Sequence, residues 1–222
     1  AFTVNPGAAA ALVVNAAPTT AQSGVVLAPQ PGVRLVDALG NTVPTTGTTV
    51  TVALASGAGT VGGTLTANTV SGVATFTNLV LTGTVGNYTL TFTAPAVTGV
   101  TTGPIAVAAG APAGLAYLVQ PSTVVAGAPI APAVQVRVLD GAGNAVTNAT
   151  NTVALSLAAN PGVSTLGGTT SVAAVAGVAT FGTLTLNRSA AGYTLAAAST
   201  GLTGATSTAF TVNPGAASAL AI

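Results

Sequence analysis

The sequence predicts an all-β chain of two tandem antiparallel β-sandwiches, with about seven or eight strands in each. Short runs rich in Val, Thr and Ile fill the chain, and Gly, Pro or Asn interrupts them at the spacing of about 8–12 residues that is typical of sandwich strands. No stretch shows the 3.6-residue periodicity of a helix. Because a sheet without covering helices buries its apolar face against another sheet, these observations favour two sheets packed face to face.

The alternation of side chains places individual strands. In residues 134–138, valines alternate with a glutamine and an arginine, so one face of the strand is apolar and the other is polar. Residues 49–54 and 152–157 repeat the pattern, and so do residues 88–92 and 193–195. Each of these runs predicts a half-buried strand.

The chain contains an internal repeat that divides it into two units. Residues 1–7 and 209–215 both read AFTVNPG, 208 positions apart. Inside that period, residues 33–41 align with residues 136–144 at an offset of 103, and a GVATF block recurs at an offset of 105. The unit is therefore about 104 residues long, which suits one small β domain. The change of offset indicates that the second unit gained two residues in a loop between these blocks.

The predicted boundaries follow the Pro- and Gly-containing segments between the units. We expect residues 1–7 to be the last strand of a preceding repeat plus a linker, 8–108 to be the first repeat, 109–112 a linker, 113–213 the second repeat, and 214–222 a linker with the first strand of a following repeat.

The charge composition excludes most catalytic chemistry. Lys and Arg number 3, Asp and Glu number 2, and charged residues make up 2% of the 222 residues, against about 25% in an average protein. The chain has no Cys and no His, so thiol and imidazole catalysis, disulfides, and zinc and iron–sulfur sites lack their side chains. The paired carboxylates of glycoside hydrolysis are excluded because each unit owns a single acid. We therefore expect no enzyme, no metal and no cofactor.

The near-neutral net charge of +1 also limits the partners. Nucleic-acid binding depends on clusters of Lys and Arg, and three scattered arginines form no such cluster. No stretch of about 18 residues is apolar without Thr, Asn, Gly or Pro. We therefore expect neither a nucleic-acid partner nor a membrane-spanning helix.

Three motifs recur in both units: V-R-V-x-D-x-x-G-N-x-V at 136–146 with a variant at 33–43, then G-V-A-T-F, then Y-T-L. Together they resemble bacterial immunoglobulin-like tandem repeats of the invasin type, which occur in large surface and secreted proteins. The resemblance covers nearly the whole chain twice. It implies immunoglobulin-like sandwiches, an extracellular or cell-surface location and, for most such domains, a spacer role.

Four of the five charges lie in the first of these motifs. An aspartate ends the strand there, and we expect its carboxylate to accept backbone N–H bonds and fix the following turn. The arginine three positions earlier is expected on the solvent face, where it pairs with that carboxylate or with a neighbouring strand. A weakly held calcium ion is the alternative. The predicted structural residues of this motif are Arg34, Asp37, Asn41, Arg137, Asp140 and Asn144.

Tyr88 and Tyr193 begin the alternating run near the end of each unit. They resemble the tyrosine corner of immunoglobulin-like sandwiches, in which the ring is buried and the hydroxyl bonds back to the chain. We interpret both as structural anchors. A platform for stacking sugars is the alternative, and it requires exposed aromatic rings.

The surface must consist of Thr, Ala, Gly, Asn and Ser, because charged residues are so few. Ordinary domains use charge to keep sheet edges from pairing with neighbours. The sequence therefore predicts a structural segment of a long extracellular bacterial fibre, layer or surface protein, whose partners are copies of itself. The alternative is an adhesin stalk or binding module that recognises a glycan or protein on another cell.

Overall fold

The computed structural model describes residues 3–216 of the chain. The chain divides into two compact units, Ala1–Gly110 and Ala111–Ile222, here called unit 1 and unit 2. The division falls inside the segment 109–112, between a strand that ends at Ala108 and a strand that begins at Pro112. In the described part of the chain, no helix is long and apolar enough to cross a membrane.

Unit 1 contains eleven strands in the described residues. They are β1 (Ala11–Ala16), β2 (Thr20–Gln22), β3 (Gly32–Val36), β4 (Thr49–Ser56), β5 (Gly59–Gly62), β6 (Thr66–Asn68), β7 (Val73–Thr75), β8 (Val80–Gly83), β9 (Gly86–Thr93), β10 (Val100–Thr101) and β11 (Ile105–Ala108).

Two larger sheets and one short ladder form unit 1. The three-stranded sheet has the order β1-β3-β7, and the six-stranded sheet has the order β2-β11-β9-β4-β6 with β10 beside β9. Strands β5 and β8 form the two-stranded ladder. Neighbouring strands are antiparallel, except that β2 runs parallel to β11 with Thr20 opposite Ala106. The chain thus leaves the first sheet after β1 and joins the second sheet at β2.

Unit 2 also contains eleven strands in the part that the structure describes. They are β12 (Pro112–Val119), β13 (Val124–Val125), β14 (Val134–Asp140), β15 (Thr152–Ala159), β16 (Leu166–Gly167), β17 (Ser171–Ala173), β18 (Val178–Phe181), β19 (Thr185–Leu186), β20 (Ala190–Ala198), β21 (Ala205–Thr206) and β22 (Phe210–Asn213). The sheets β12-β14-β18, β13-β22-β20-β15-β17 with β21, and β16-β19 repeat the topology of unit 1, including a parallel pair, β13 with β22.

The core of each unit lies between its two larger sheets. In unit 1, Phe76 follows β7 of one sheet and Phe92 lies on β9 of the other, and their ring centroids are 5.4 Å apart. In unit 2, the valines of β14 are fully buried at 134, 136 and 138, whereas the alternate residues are half-buried. The side-chain alternation therefore confirms the strand that the sequence predicts here.

The all-β, immunoglobulin-like sandwich fold is confirmed, but the strands are more numerous than the predicted seven or eight per unit. The first run of each unit is split into two strands that belong to different sheets, as β1 and β2 show. Short edge ladders of two to four residues, such as β5 with β8 and β10 with β9, add the rest. Ladders this short are set by tertiary pairing and leave little periodicity in the sequence.

Residues 3–7 form no strand, although their sequence repeats that of a strand. The same residues at 211–215 begin inside β22, which pairs with β20 and β13. A strand needs a neighbour for its backbone hydrogen bonds, and residues 3–7 have no such ladder. The strand expected at the C-terminal end falls largely on residues 217–222, outside the described residues.

Candidate functional site

The Asp37 carboxylate fixes the turn that follows β3. Its Oδ1 accepts hydrogen bonds from the backbone N–H groups of Leu39 and Asn41, each at 2.9 Å. Its Oδ2 accepts one from the Asn41 side-chain amide at 3.0 Å and one from the backbone N–H of Gly7 at 2.9 Å. The turn is closed at the same place by the N–H of Asp37, which donates to the carbonyl of Asn41 at 2.9 Å.

Asp140 and Asn144 build the equivalent turn in unit 2. The Oδ1 atom of Asp140 accepts from the backbone N–H groups of Ala142 at 2.9 Å and Asn144 at 2.8 Å. The Asn144 side-chain amide donates to Oδ2 at 2.8 Å. Both aspartates and Asn144 are buried. The structure thus places both Asp–Asn pairs in turns, at the strand end where the sequence motif locates them.

These contacts determine what the carboxylate of Asp37 can do. The side-chain amide of Asn41 and the N–H of Gly7 stabilise the ionised form more than burial destabilises it, and they lower the pKa from 3.8 to about 2. A carboxylate has about four lone-pair positions, and N–H donors already use them. The group is therefore a fixed anion without an oxygen to offer to a metal ion or a substrate proton. Groups of three or more Asp, Glu, His or Cys residues that could hold a metal are absent from residues 3–216.

The two arginines of the motif differ in their contacts. The guanidinium of Arg34 donates through Nη1 to the hydroxyl of Thr42 at 3.1 Å, across the turn. In unit 2 the position of Thr42 is occupied by Ala145, which has no hydroxyl. The Nε atom of Arg137 is buried and has no hydrogen-bond partner. The contacts of Asp37 do not include Arg34, so the pairing of arginine with that carboxylate is not observed in unit 1.

The two tyrosines are buried and bond back to the chain. The hydroxyl oxygen of Tyr88 lies 2.8 Å from the carbonyl oxygens of both Ala58 and Thr84, which share its single hydrogen. The hydroxyl of Tyr193 lies 2.8 Å from the carbonyl oxygen of Arg188. This is the geometry of structural anchors, and neither ring is available for stacking on a ligand.

A third tyrosine anchors unit 2 from the other sheet. Tyr117 on β12 donates its hydroxyl hydrogen to the carbonyl oxygen of Leu195 on β20 at 2.9 Å. Burial raises the pKa of this phenol above its ordinary value of 10.0, so it remains a hydrogen-bond donor at all physiological pH values. The repeat pattern does not mark Tyr117, because unit 1 has Val14 at the corresponding position.

Two further buried hydroxyls support the same strands, and they are hard to recognise from the sequence. The N–H of Leu90 donates to Oγ1 of Thr102 at 3.0 Å, and the N–H of Leu195 donates to Oγ of Ser207 at 2.9 Å. The two contacts occupy equivalent positions of the two units. Their signal in the sequence is a hydroxyl residue twelve positions after a buried leucine, which is invisible among so many Thr and Ser residues.

Unit 1 exposes an aliphatic patch beside its edge strand β2. Val25, Val26 and Val85 are 44%, 53% and 57% exposed and line a shallow groove along β2 and β11. The corresponding residues of unit 2 are Ala128, Pro129 and Ala190. The groove contains no charged residue. We name it the valine patch.

The described residues thus define an all-β protein of two immunoglobulin-like sandwiches whose repeated polar residues hold turns and strand ends. No family model matches the sequence, and the comparison with curated proteins found no match.

Solved structures that resemble the chain include domains of a surface layer protein, a domain of Intimin and a β-glycosidase. Domains 4–9 of the surface layer protein SbsC are 20% identical over 95% of this chain and 32% of that chain, with a TM-score of 0.35. The D00-D0 domain of Intimin is 13% identical over 91% of this chain and 98% of that chain, with a TM-score of 0.42. A β-glycosidase from Bacteroides vulgatus is 14% identical over 95% of this chain and only 25% of that chain, with a TM-score of 0.40. The chain thus spans about a third of the surface layer structure and a quarter of the glycosidase.

Proposed function

We propose that the chain is a non-catalytic structural repeat segment of a long extracellular bacterial fibre, layer or surface protein, and that it acts by extension and self-association. The proposal rests on one observation, which is that the polar side chains repeated in both units form hydrogen bonds within the units. The carboxylates of Asp37 and Asp140 accept hydrogen bonds from their own turns, and the hydroxyls of Tyr88 and Tyr193 are bonded to backbone carbonyls. These groups hold the sandwiches together and are not presented to a substrate.

The exposed surface supports self-association. Val26 and Val85 of the valine patch are more than half exposed, and Val70 and Val175, which occupy equivalent positions in the two units, are 67% and 77% exposed. Few charges surround them, since the whole chain carries five. A second copy of such a surface meets no like charge, and its apolar contacts gain about 25 cal/mol for each Å² removed from water.

The extracellular location rests on the motifs that both units share with invasin-type repeats. The absence of Cys is compatible with it, because these sandwiches are closed by hydrogen-bonded turns and buried tyrosines rather than by disulfides. The segment would then act through its length and its surface rather than through a pocket.

Electron microscopy and sedimentation of the 222-residue chain test the proposal. We expect regular assemblies that persist from low to high salt, because screening acts on charges and this surface has few. The variant Val26→Lys places a charge in the valine patch and is expected to shift the sedimenting species towards the monomer. The charge-matched control Thr150→Lys, at an exposed position of unit 2, is expected to assemble like the wild type.

A monomer of 20.7 kDa at all concentrations would contradict self-association and favour a spacer or an adhesin stalk. Assemblies that Val26→Lys leaves unchanged would show that the contact lies elsewhere on the surface. In residues 3–216 every Phe and Tyr is buried or half-buried, so this part of the chain offers no exposed aromatic ring to a sugar.

A further inference from the structure

The segment before the first strand of unit 1 is held in place although it belongs to no sheet. Residues 3–10 precede β1 and form no strand. Val4, Asn5, Gly7 and Ala8 nevertheless line one shallow pocket together with the turn that follows β3. The backbone N–H of Gly7 donates to Oδ2 of Asp37 at 2.9 Å, thirty residues away along the chain. Here we call residues 5–8 the entry segment.

The two oxygens of Asp37 have different tasks. Oδ1 accepts the backbone N–H groups of Leu39 and Asn41, which are the bonds that close the turn. Oδ2 accepts no backbone donor of the turn and instead accepts the N–H of Gly7. The side-chain amide of Asn41 contacts both oxygens, at 3.3 Å and 3.0 Å, and so fixes the plane of the carboxylate. The backbone N–H groups of the turn use only Oδ1, so the one backbone donor that Oδ2 accepts is the N–H of Gly7, beside the side-chain amide of Asn41.

The charge of the acceptor strengthens this contact. Asp37 is 6% exposed whereas Gly7 is exposed, so burial removes only the acceptor side of the bond from water. Hydrogen bonds to an ionised carboxylate are about twice as strong as those between neutral groups. The other charged group near the turn, Arg34, donates to Thr42 and not to Asp37. The entry segment, the turn and β1 contribute no further Asp, Glu, Lys, Arg, His or Tyr. The carboxylate is therefore the one charge that acts on the entry segment.

We propose that Asp37 is a clasp, whose Oδ2 atom binds the N–H of Gly7 and fixes the course of the entry segment into β1 while the carboxylate is ionised. This role is separate from the turn that the sequence motif predicts, and it does not depend on the function proposed above. The clasp makes the stiffness of a segment outside the sheets depend on one side chain inside the unit.

Gly7 offers a matched pair of variants that separates the clasp from the turn. Its φ lies outside the left-handed region, and a Cβ there would lie 3.6 Å from Cβ of Asp37, an ordinary contact. Gly7→Ala therefore keeps the donor, whereas Gly7→Pro removes the N–H and leaves the turn bonds of Asp37 in place. Both changes lie outside the strands, so the sandwich is expected to fold in both variants.

Nuclear magnetic resonance on the labelled full chain provides the test. In the wild type, we expect the Gly7 amide to exchange at least tenfold more slowly than in Asp37→Asn, and the Ala8 amide to be as rigid as those of β1. In Gly7→Pro the Ala8 amide becomes mobile, while in Gly7→Ala it stays rigid. Asp140→Asn alters the equivalent turn of unit 2 and is expected to leave Gly7 and Ala8 unchanged.

The pH dependence gives an independent measurement. The pKa of Asp37 is lowered from 3.8 to about 2, so the order that the ionised group confers is complete above about pH 4 and is lost as the pH falls through about 2. We expect the amide shifts of Gly7, Leu39 and Asn41 to titrate together with a midpoint near 2. Loss of the Gly7 donor in Gly7→Pro should raise the carboxyl midpoint, whereas Gly7→Ala should not. Equal midpoints in these two variants, or a Gly7 amide that exchanges at the rate of an unstructured chain in the wild type, would overturn the clasp.

Discussion

Units 1 and 2 close the same end of the sandwich in different ways. In unit 1 a backbone ladder of four residue pairs joins β5 to β8, from Gly59 opposite Gly83 to Gly62 opposite Val80. The Tyr88 hydroxyl sits against this ladder, and a Cβ at Gly59 would collide with the carbonyl of Thr82. The close approach of these two strands therefore requires glycine.

Unit 2 replaces half of that ladder with side chains. Its β16 and β19 pair over two residues only, and the two residues gained in the loop lie just before them. The Ser164 hydroxyl donates to Oδ1 of Asn187 at 2.8 Å and accepts the N–H of Asn187 at 3.0 Å. Asn160 brackets the loop through two bonds to the backbone of Ser164. Arg188 occupies the position that is Gly83 in unit 1.

The feature that both units share at this end of the sandwich is the buried tyrosine, whereas the ladder differs between them. Tyr88 and Tyr193 are both fully buried, while the residues around them changed from a glycine-dependent ladder to an Asn–Ser network. In both units this loop is held by hydrogen bonds, which come from paired backbones in unit 1 and largely from side chains in unit 2.

Of the substitutions proposed, Gly59→Ala is expected to have the largest effect, because it disrupts the pairing of β5 with β8 in unit 1. The added Cβ collides with the Thr82 carbonyl and lies 2.9 Å from the Tyr88 hydroxyl, so β5 must separate from β8. We expect the free energy of unfolding of unit 1 to fall by about 3 kcal/mol. Hydrogen exchange of the Leu90 amide reports on unit 1 and that of the Leu195 amide on unit 2.

Gly62→Ala is the control for this variant, since no atom lies within 4 Å of the added Cβ. It is expected to leave the free energy of unfolding unchanged or to raise it by less than about 1 kcal/mol, because alanine loses less backbone entropy on folding than glycine does. If both alanine variants change the exchange of Leu90 equally, the close approach at Gly59 does not govern the ladder.

Removal of the two tyrosine hydroxyls should destabilise unit 1 more than unit 2. Tyr88→Phe leaves the carbonyls of Ala58 and Thr84 without this donor, whereas Tyr193→Phe affects the single carbonyl of Arg188. We expect losses of about 2 and about 1 kcal/mol in the respective units. Thermal unfolding combined with the exchange of Leu90 and Leu195 measures both, and a larger loss for Tyr193→Phe would reverse the argument.

Ser164→Ala is expected to loosen the closure of unit 2 alone. The hydroxyl makes three contacts, with Oδ1 and N–H of Asn187 and with the N–H of Arg188. Their loss should lower the free energy of unfolding of unit 2 by about 1.5 kcal/mol and speed exchange of the Asn187 amide. Thr165→Ala removes an exposed hydroxyl that makes no hydrogen bond, and it serves as the neutral neighbour. An unchanged Asn187 amide in Ser164→Ala would show that the network does not close the loop.

The smallest effect is expected at the arginines. Thr42→Ala removes the partner of Arg34, and Ala145→Thr supplies unit 2 with the missing hydroxyl near Arg137. We expect a loss of about 0.5 kcal/mol in unit 1 and a gain of similar size in unit 2. Denaturant unfolding of the two variants measures the difference, and a destabilised Ala145→Thr would show that the hydroxyl does not reach the guanidinium.

The sequence predicted the sandwiches because their signals are local. Alternating valines mark β14, and the repeated Asp–Asn spacing marks the turns that Asp37 and Asp140 hold. The motif could not show the bond from Asp37 to Gly7, since that partner lies thirty residues earlier in a segment without periodicity.

The duplicated heptapeptide shows most clearly what the local sequence cannot predict. Thr211–Asn213 lie in β22, whereas the same residues at 3–5 form no strand. No property of the seven residues distinguishes the two copies, because the difference is the presence of β20 and β13 as neighbours. Strand formation at such places is decided by partners that the local sequence does not contain.

The parallel pairing of β2 with β11 places strands from the two ends of unit 1 side by side. Both run in the same direction, so a pulling force on the ends of the unit acts along the pair and loads its hydrogen bonds together rather than one after another. Unit 1 has three residue pairs in this contact and unit 2 has two, Val124 with Val212 and Val125 with Asn213. When a unit is pulled from its ends, this contact is expected to set the force at which the unit unfolds. Because unit 2 has fewer residue pairs in the contact, single-molecule pulling should show that unit 2 unfolds at the lower force.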